Sequence, residues 1–290
     1  DTVVAVDAII PGFVPDAAYG FYRAMERKYG WVNQVPTPGF FGSNPPSTIT
    51  VEISRNKSIQ VPFGRFELPY VEGYLESGIV EDPKRKGVAS FHIGGQVKRK
   101  HEAVVAELVE AAKQIVTNES IYRGQAFRVR LNDDRGRPLP FPTPTFLDLN
   151  ANIENELIFS DEVMLDVSIN LFTPIERTAE CRRDSIPLKR GVLLAGDFGV
   201  GKTMAAHASA LKCVRNGWTY IVCERADELG DVLRMAAEVK PSMVFCEDID
   251  RVMAGERNID TDHILNIIDG VESKNSEMMI VLTTNDIDNI

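Results

Sequence analysis

Arg190-Gly-Val-Leu-Leu-Ala195-Gly196-Asp197-Phe198-Gly199-Val200-Gly201-Lys202-Thr203-Met204 is the stretch whose reading decides the fold. Val192 to Ala195 is a short apolar run, as a buried strand requires. GDFGVGKT follows at once, and the small and apolar residues beginning MAAHASALK predict a helix. Gly196-x4-Gly201-Lys202-Thr203 is then the phosphate-binding loop pattern in the strand–loop–helix context that gives it meaning. A Gly-rich turn that merely precedes a lysine is the alternative, and that context disfavours it. The residue types follow from the chemistry. Gly196, Gly199 and Gly201 permit positive φ, so the backbone, with Asp197, Phe198 and Val200 between the glycines, can curl and turn several N–H groups toward one anion. The helix beginning around Met204 adds its positive N-terminal end. Lys202 supplies a mobile charge for β- and γ-phosphates, and Thr203 a hydroxyl for Mg²⁺.

Outward from this loop, strand and helix patterns alternate. Trp218 to Cys223 reads as a second strand, and Leu229, Val232, Leu233, Ala236 and Ala237 as one face of a helix that Pro241-Ser242 stops. Met243 to Cys246 is a third apolar run, leading into Glu247-Asp248-Ile249-Asp250. Ile264, Ile267, Ile268 and Val271 make another helical stripe, and Met278 to Thr283 a fourth strand ending in Thr284-Asn285. Such alternation predicts an α/β fold: a parallel sheet between helices, an αβα sandwich with its ligand site at the carboxyl ends of the strands. The acids after Cys246 fall at that edge. A strand ending in two carboxylates, 45 residues after Lys202, is the Walker B arrangement. By register Glu247 takes the metal role and Asp248 the water-activating role. Asn285 could orient the lytic water or contact the γ-phosphate; a turn-forming Asn before Asp286 is the competing reading.

Composition sets the outer bounds. The chain has 290 residues, 44% of them hydrophobic, and a mean hydropathy of −0.12, an ordinary globular make-up with room for two domains. No apolar run approaches the ~20 residues that span a bilayer, and DTVVAVDAIIPG lacks the marks of a secretory signal. Cys181, Cys213, Cys223 and Cys246 form no C-x-x-C pair, so buried thiols in a reducing cytoplasm are expected. The four histidines have no ligand spacing, and zinc is not expected. The net charge of −10 is uneven: residues 1–147 carry 18 Lys/Arg against 16 Asp/Glu, and residues 148–290 carry 14 against 26. An acidic second half argues against a nucleic-acid groove there. Lys84-Arg85-Lys86 and Lys98-Arg99-Lys100 are short runs of the kind usually found on solvated loops and helix starts.

The first half reads as a small α+β domain. Ala18, Phe21, Tyr22, Met25 and Tyr29 share a helical face, and residues 33–47 are turn-rich and expected to be loop. Ile49, Val51 and Ile53 alternate as a strand does. Further strands are expected around 58–63, 65–70 and 88–93, a helix over 100–117, and a last strand at Phe127, Val129 and Leu131. Asp133 to Pro144 is the boundary, its prolines at every second position predicting a semi-rigid spacer. The division expected is residues 1–140, a linker 141–150, and a second domain 151–290 opening with one helical stretch (Val163, Leu165, Ile169, Phe172, Ile175). The first half shows no arrangement of residues that spells out a chemistry.

GDFGVGKT, PSMVFCEDID, ILNIIDGVES and MMIVLTTN, in this order and spacing, give residues 150–290 their resemblance to the AAA+ ATPase core. The Glu247-Asp248 order and IIDGVES…IVLTTN are most similar to the branch containing the mitochondrial Rieske-protein translocase. The resemblance implies a five-stranded αβα core, Mg-ATP hydrolysis and a homo-oligomeric ring, usually a hexamer, with ATP between neighbours. It implies phosphate and Mg²⁺ roles for Lys202 and Thr203, an acidic pair at Glu247 and Asp248, and sensor 1 at Asn285. It also implies an adenine near Leu157, Ile158 and Phe159.

Three departures qualify this expectation. Most members place Asp before Glu, whereas here the water-activating position is the shorter Asp248. The loop after the second strand, Arg225-Ala-Asp-Glu-Leu-Gly230, lacks the aromatic of polypeptide-threading members. The sequence stops at Ile290, short of where the family's arginine fingers and helical lid would lie, so slow turnover is expected of it. The leading expectation is coupling of Mg-ATP hydrolysis to remodelling of a protein partner or adaptor held by residues 1–140. A nucleic-acid-associated loader, which salt-dependent DNA or RNA binding would reveal, and an ATP-holding switch with little hydrolysis are the alternatives.

Overall fold

The computed structural model describes residues 2–40, 42–83, 85–249 and 277–285. The stripe at Ile264–Val271 lies outside these, as do Lys84, Asp250 and Asp286. The chain divides into two units, Asp1–Ile121 with Asn132–Thr143, and Tyr122–Leu131 with Pro144–Ile290.

The first unit opens with β1 (Val3–Ile10) and α1 (Val14–Tyr29), which ends where Gly30 turns left-handed at φ 78°. Short strands follow: β2 (Gln34–Val35), β3 (Thr37–Gly39) and β4 (Gly42–Asn44). Then come β5 (Ser47–Ser54), β6 (Lys57–Phe63), β7 (Arg65–Phe66), β8 (Gly73–Asp82), β9 (Arg85–Lys98) and α2 (Glu102–Glu119). β1-β9-β8-β7-β2 form an antiparallel sheet, while β3-β4 and β5-β6 are separate hairpins. Alternation places Ile10, Leu75, Phe91, Ile93 and Val97 in the core, and Phe21 of α1 meets the rings of Phe66 and Phe91. Gly20 lets α1 and α2 approach closely, since a Cβ there would stand 2.6 Å from Val116 Cγ2.

Several expectations change here. Residues 33–47 hold three short strands that the surrounding Pro, Gly and Asn disguise as loop. β8 is a strand that Gly73, Ser77 and Gly78 hide by breaking its apolar alternation, and the strand expected over 65–70 stops at Phe66 because Tyr70 turns left-handed at φ 62°. The proline run is no free spacer. Asn132 pairs with Pro138, and Ala89 N–H donates to the Pro140 carbonyl at 2.8 Å.

In the second unit β10 (Ala126–Val129) and β11 (Thr145–Phe146) precede a 3₁₀ turn at Ile153–Glu156, α3 (Asp161–Val167), a π-helical turn at Ser168–Phe172, α4 (Thr173–Glu176) and α5 (Thr178–Arg183). The π turn and Pro174 break the single helix that the sequence predicts, so Val163, Leu165 and Ile169 are exposed while Phe172 and Ile175 are buried. β12 (Arg190–Ala195), α6 (Lys202–Arg215), β13 (Thr219–Cys223), α7 (Leu229–Glu238), β14 (Ser242–Cys246) and β15 (Met278–Thr284) complete it. The sheet order is β11-β10-β13-β14-β15-β12, with every pair parallel except β11-β10.

This is the parallel αβα sheet expected, with one correction. The strand around Phe127 belongs to this sheet, where Phe127 faces Ile221 and Val129 faces Cys223, and not to the first unit. The end of the expected 141–150 linker is itself strand β11. Trp218, Tyr220, Phe245 and Met279 share a buried cluster with Ala206 and Leu211 of α6, and α7 packs along β13 and β14. The four cysteines are free and buried. No helix among the described residues is long and apolar enough to cross a membrane.

Candidate functional site

The site is built where three parallel strands end together. Register pairs Ala195 with Thr284 and Cys246 with Leu282, so the residues just after β12 and β14 and at the end of β15 share one edge of the sheet. From Ala195 the chain enters the loop, where Gly196, Gly199 and Gly201 take φ of 149°, 82° and 96°. These are left-handed values that glycine adopts without steric cost. Gly201 is doubly constrained, because a Cβ there would stand 2.9 Å from Phe159 Cε1. α6 starts at Lys202 immediately after it, so its free N–H groups and positive end face the loop.

The polar side chains expected from the sequence meet. Lys202 Nζ donates to the carbonyls of Gly196 (2.6 Å) and Asp197 (2.8 Å) and to Asn285 Oδ1 (2.9 Å). The amide of Asn285 also donates through Nδ2 to Asp248 Oδ1, at 2.9 Å. Thr203 Oγ1 donates to Glu247 Oε1 at 2.6 Å. Lys202, Asn285 and Asp248 are thus one hydrogen-bonded chain, and Thr203 and Glu247 a second pair beside it. Thr203 and Glu247 present a hydroxyl and a carboxylate oxygen close enough to share one small hard cation, the oxygen donor set that Mg²⁺ prefers.

Asp248 has an uncommon backbone, left-handed at φ 47°. Asp tolerates that region better than most residues. Its N–H donates to Thr283 Oγ1 at 3.0 Å, and the next N–H, of Ile249, to the Thr283 carbonyl at 3.1 Å. Thr283, buried in β15, is the support that sequence reading missed; one more β-branched residue in an apolar strand gives no signal of it.

Around the loop Phe198, Val200 and Met204 are exposed, as is Ile158 at 90%. Of the three residues expected to flank a base, Leu157 and Phe159 pack on the core of the unit and Phe159 lies against Gly201, while Ile158 projects into solvent. The 3₁₀ turn just before them is pinned to the far end of α6. Glu154 accepts from Lys212 (2.7 Å) and Arg215 (2.6 Å), and the hydrogen bond from Lys212 is the chief reason its carboxyl is held below the usual value.

Residues 192–290 match the family described as "ATPase family associated with various cellular activities (AAA)". Among curated proteins, the chain is 30% identical over 146 residues to the 26S proteasome regulatory subunit 8 homolog of Encephalitozoon cuniculi, covering 44% of this chain and 37% of that one. It is 26% identical over 180 residues to the ATPase family protein 2 homolog of Caenorhabditis elegans, covering 56% and 25%. To the 26S proteasome regulatory subunit 4 homolog of Oryza sativa subsp. japonica it is 32% identical over 119 residues, covering 35% and 26%. The chain thus spans between 25% and 37% of the length of these relatives. Fold and match agree: the second unit is a P-loop NTPase of the α/β class with a parallel sheet.

Proposed function

We propose, from the premise that residues 192–290 carry an AAA-type ATPase domain, that this chain binds and hydrolyses Mg-ATP at the loop before α6. The observation that carries the reading is the convergence of Lys202, Asn285 and Asp248 in one hydrogen-bonded chain, with Thr203 and Glu247 paired next to it. In the bound state Lys202 exchanges its Gly196 and Asp197 carbonyls for phosphate oxygens, and the loop amides and the start of α6 hold the remaining charge. Thr203 and Glu247 would hold Mg²⁺, which neutralises charge on the β- and γ-phosphates. Asp248 accepts the proton of the attacking water, and Asn285 fixes the carboxylate that does so. Phe159, against Gly201, and the exposed Ile158 are positioned to flank an adenine.

Two of the matched relatives are named as regulatory subunits of the 26S proteasome. We take from this that the hydrolysis cycle acts on a protein partner, with the first unit as its recognition part and a homo-oligomeric ring as the working form. Within the family, the Glu247-Asp248 order and IIDGVES favour the branch of the mitochondrial Rieske-protein translocase. The test is fluorescent-ATP titration and Mg²⁺-dependent phosphate release by the chain and its Lys202→Ala variant. Loss of a charge-assisted contact predicts binding weaker by about tenfold or more. Equal affinity in the variant would overturn the assignment.

A further inference from the structure

The β3–β4 hairpin of the first unit ends in Gly39-Phe40-Phe41-Gly42, and Phe40 is 95% exposed. Residues in strand contact are Thr37 with Asn44, Pro38 with Ser43 and Gly39 with Gly42, so Phe40 sits at the very turn. The base of this hairpin is anchored. Gln34 Nε2 donates to the carbonyls of Ser47 (2.7 Å) and Phe63 (2.8 Å), and Ser47 Oγ donates to the same Phe63 carbonyl at 3.0 Å. An aromatic held out on a fixed stem is costly in water and costs little ordering entropy to use, which is the signature of a contact residue.

Charge defines what the contact takes. In a chain that is 26% charged, no Asp, Glu, Lys or Arg occurs between Lys28 and Glu52. The hairpin therefore repels an ionic surface by desolvation and has nothing to pair with it. Absence of basic residues also disfavours a lipid surface, since apolar anchors bind membranes durably only with a polybasic neighbour or a second anchor. A polypeptide offers more than a lipid can. β3 and β4 form a two-stranded sheet of their own, whose outer edges can accept the backbone of an extended chain while Phe40 takes an apolar side chain.

We propose that the β3–β4 hairpin is a grip for extended, uncharged polypeptide segments rich in apolar side chains, with Phe40 as its anchor. This rests on the protein-partner part of the function proposed above, and it places the aromatic contact in the first unit. The loop Arg225–Gly230 of the second unit has no aromatic to offer.

The test uses the whole chain and a fluorescein-labelled peptide of Leu, Ala, Ser and Gly, with a peptide carrying Asp and Lys in place of Leu as control. Fluorescence anisotropy is followed for the unaltered chain and for Phe40→Ala, Phe40→Asp and Phe40→Trp. Fluorescent-ATP titration of the same samples runs in parallel. The expected result is selective binding of the apolar peptide, weakened about tenfold by Phe40→Ala, abolished by Phe40→Asp and retained by Phe40→Trp, with ATP affinity unchanged throughout. Peptide binding indifferent to all three substitutions, or absent in the unaltered chain, overturns the grip while leaving the ATPase reading standing. Flotation of the chain with neutral phosphatidylcholine vesicles, lost in Phe40→Asp, assigns the tip to lipid and overturns it too. Loss of ATP binding in the unaltered chain counts against the ATPase reading alone.

Discussion

At residue scale the decisive position is Asp248. Its φ of 47° and the Thr283 hydrogen bonds to its N–H and to that of Ile249 fix the backbone independently of the carboxylate. Asn tolerates the left-handed region as Asp does, so Asp248→Asn removes a proton acceptor without a reason for the strand end to move. It also leaves an amide oxygen for Asn285 Nδ2, 2.9 Å from Asp248 Oδ1. We expect kcat to fall by about 10²–10⁴-fold, the usual worth of a positioned base, with ATP affinity retained. Steady-state phosphate release beside an ATP titration checks this, and an unchanged kcat removes Asp248 from the role. Thr203 and Glu247 were readable in advance because loop and strand patterns each fix a residue to one sheet edge. Phe159 was readable only as one of three neighbours, since nothing in Leu157-Ile158-Phe159 distinguishes the ring that touches Gly201 from the chain that meets water.

At the scale of elements, Asp16 is the strongest single joint in the first unit. It lies in the first turn of α1, 4% exposed. Its carboxylate accepts from Ser120 Oγ at 2.6 Å and from Ile121 N–H at 3.0 Å, tying the start of α1 to the chain leaving α2. Asp16→Ala strands a buried hydroxyl and a buried N–H, which costs about 1–3 kcal/mol each. We expect a lower urea midpoint for the first unit with nucleotide binding intact; an unchanged midpoint would mean that water replaces the carboxylate. In the sequence this residue is one acid at a helix start, and its partners lie more than 100 positions away. The same distance hid the placement of β10. Its apolar residues alternate with Arg128 and Arg130, a pattern that specifies a strand and leaves open which sheet receives it. β12, α6, β14 and β15 were legible because loop chemistry, strand-end acids and periodicity agree on them. Where they disagree, as over residues 151–185, a π turn and a proline shift the phase and the stripe stops predicting burial.

At the scale of the whole molecule, the balance of charge sets how it responds to acid. A chain with a net charge of −10 gains something from losing self-repulsion as the pH falls. Against this, each unit holds carboxyls that its folded state keeps ionised. A hydrogen bond from Lys212 lowers Glu154, and one from Arg182 lowers Glu277 in the second unit. A hydrogen bond from Arg27 lowers Glu119 in the first, and Lys100 with Lys98 brings Glu72 to about 2. A carboxyl lower in the folded than in the unfolded chain stabilises above the unfolded value and stops doing so as pH falls through the folded one. Glu72 and Glu119 are solvent-exposed, and screening leaves them little weight. Glu154, bonded to two cations and closing the 3₁₀ turn onto α6, keeps more. The expected midpoint of thermal unfolding is therefore level from pH 7 to about 5 and falls below about 4.5. In Glu154→Gln the neutral-pH midpoint drops and the acid slope of the second unit flattens, because the titrating group is gone. Thermal scans across that range, with ATP protection marking the second unit, read both effects. A midpoint that rises toward pH 3 would show that relief of the −10 charge outweighs these pairs.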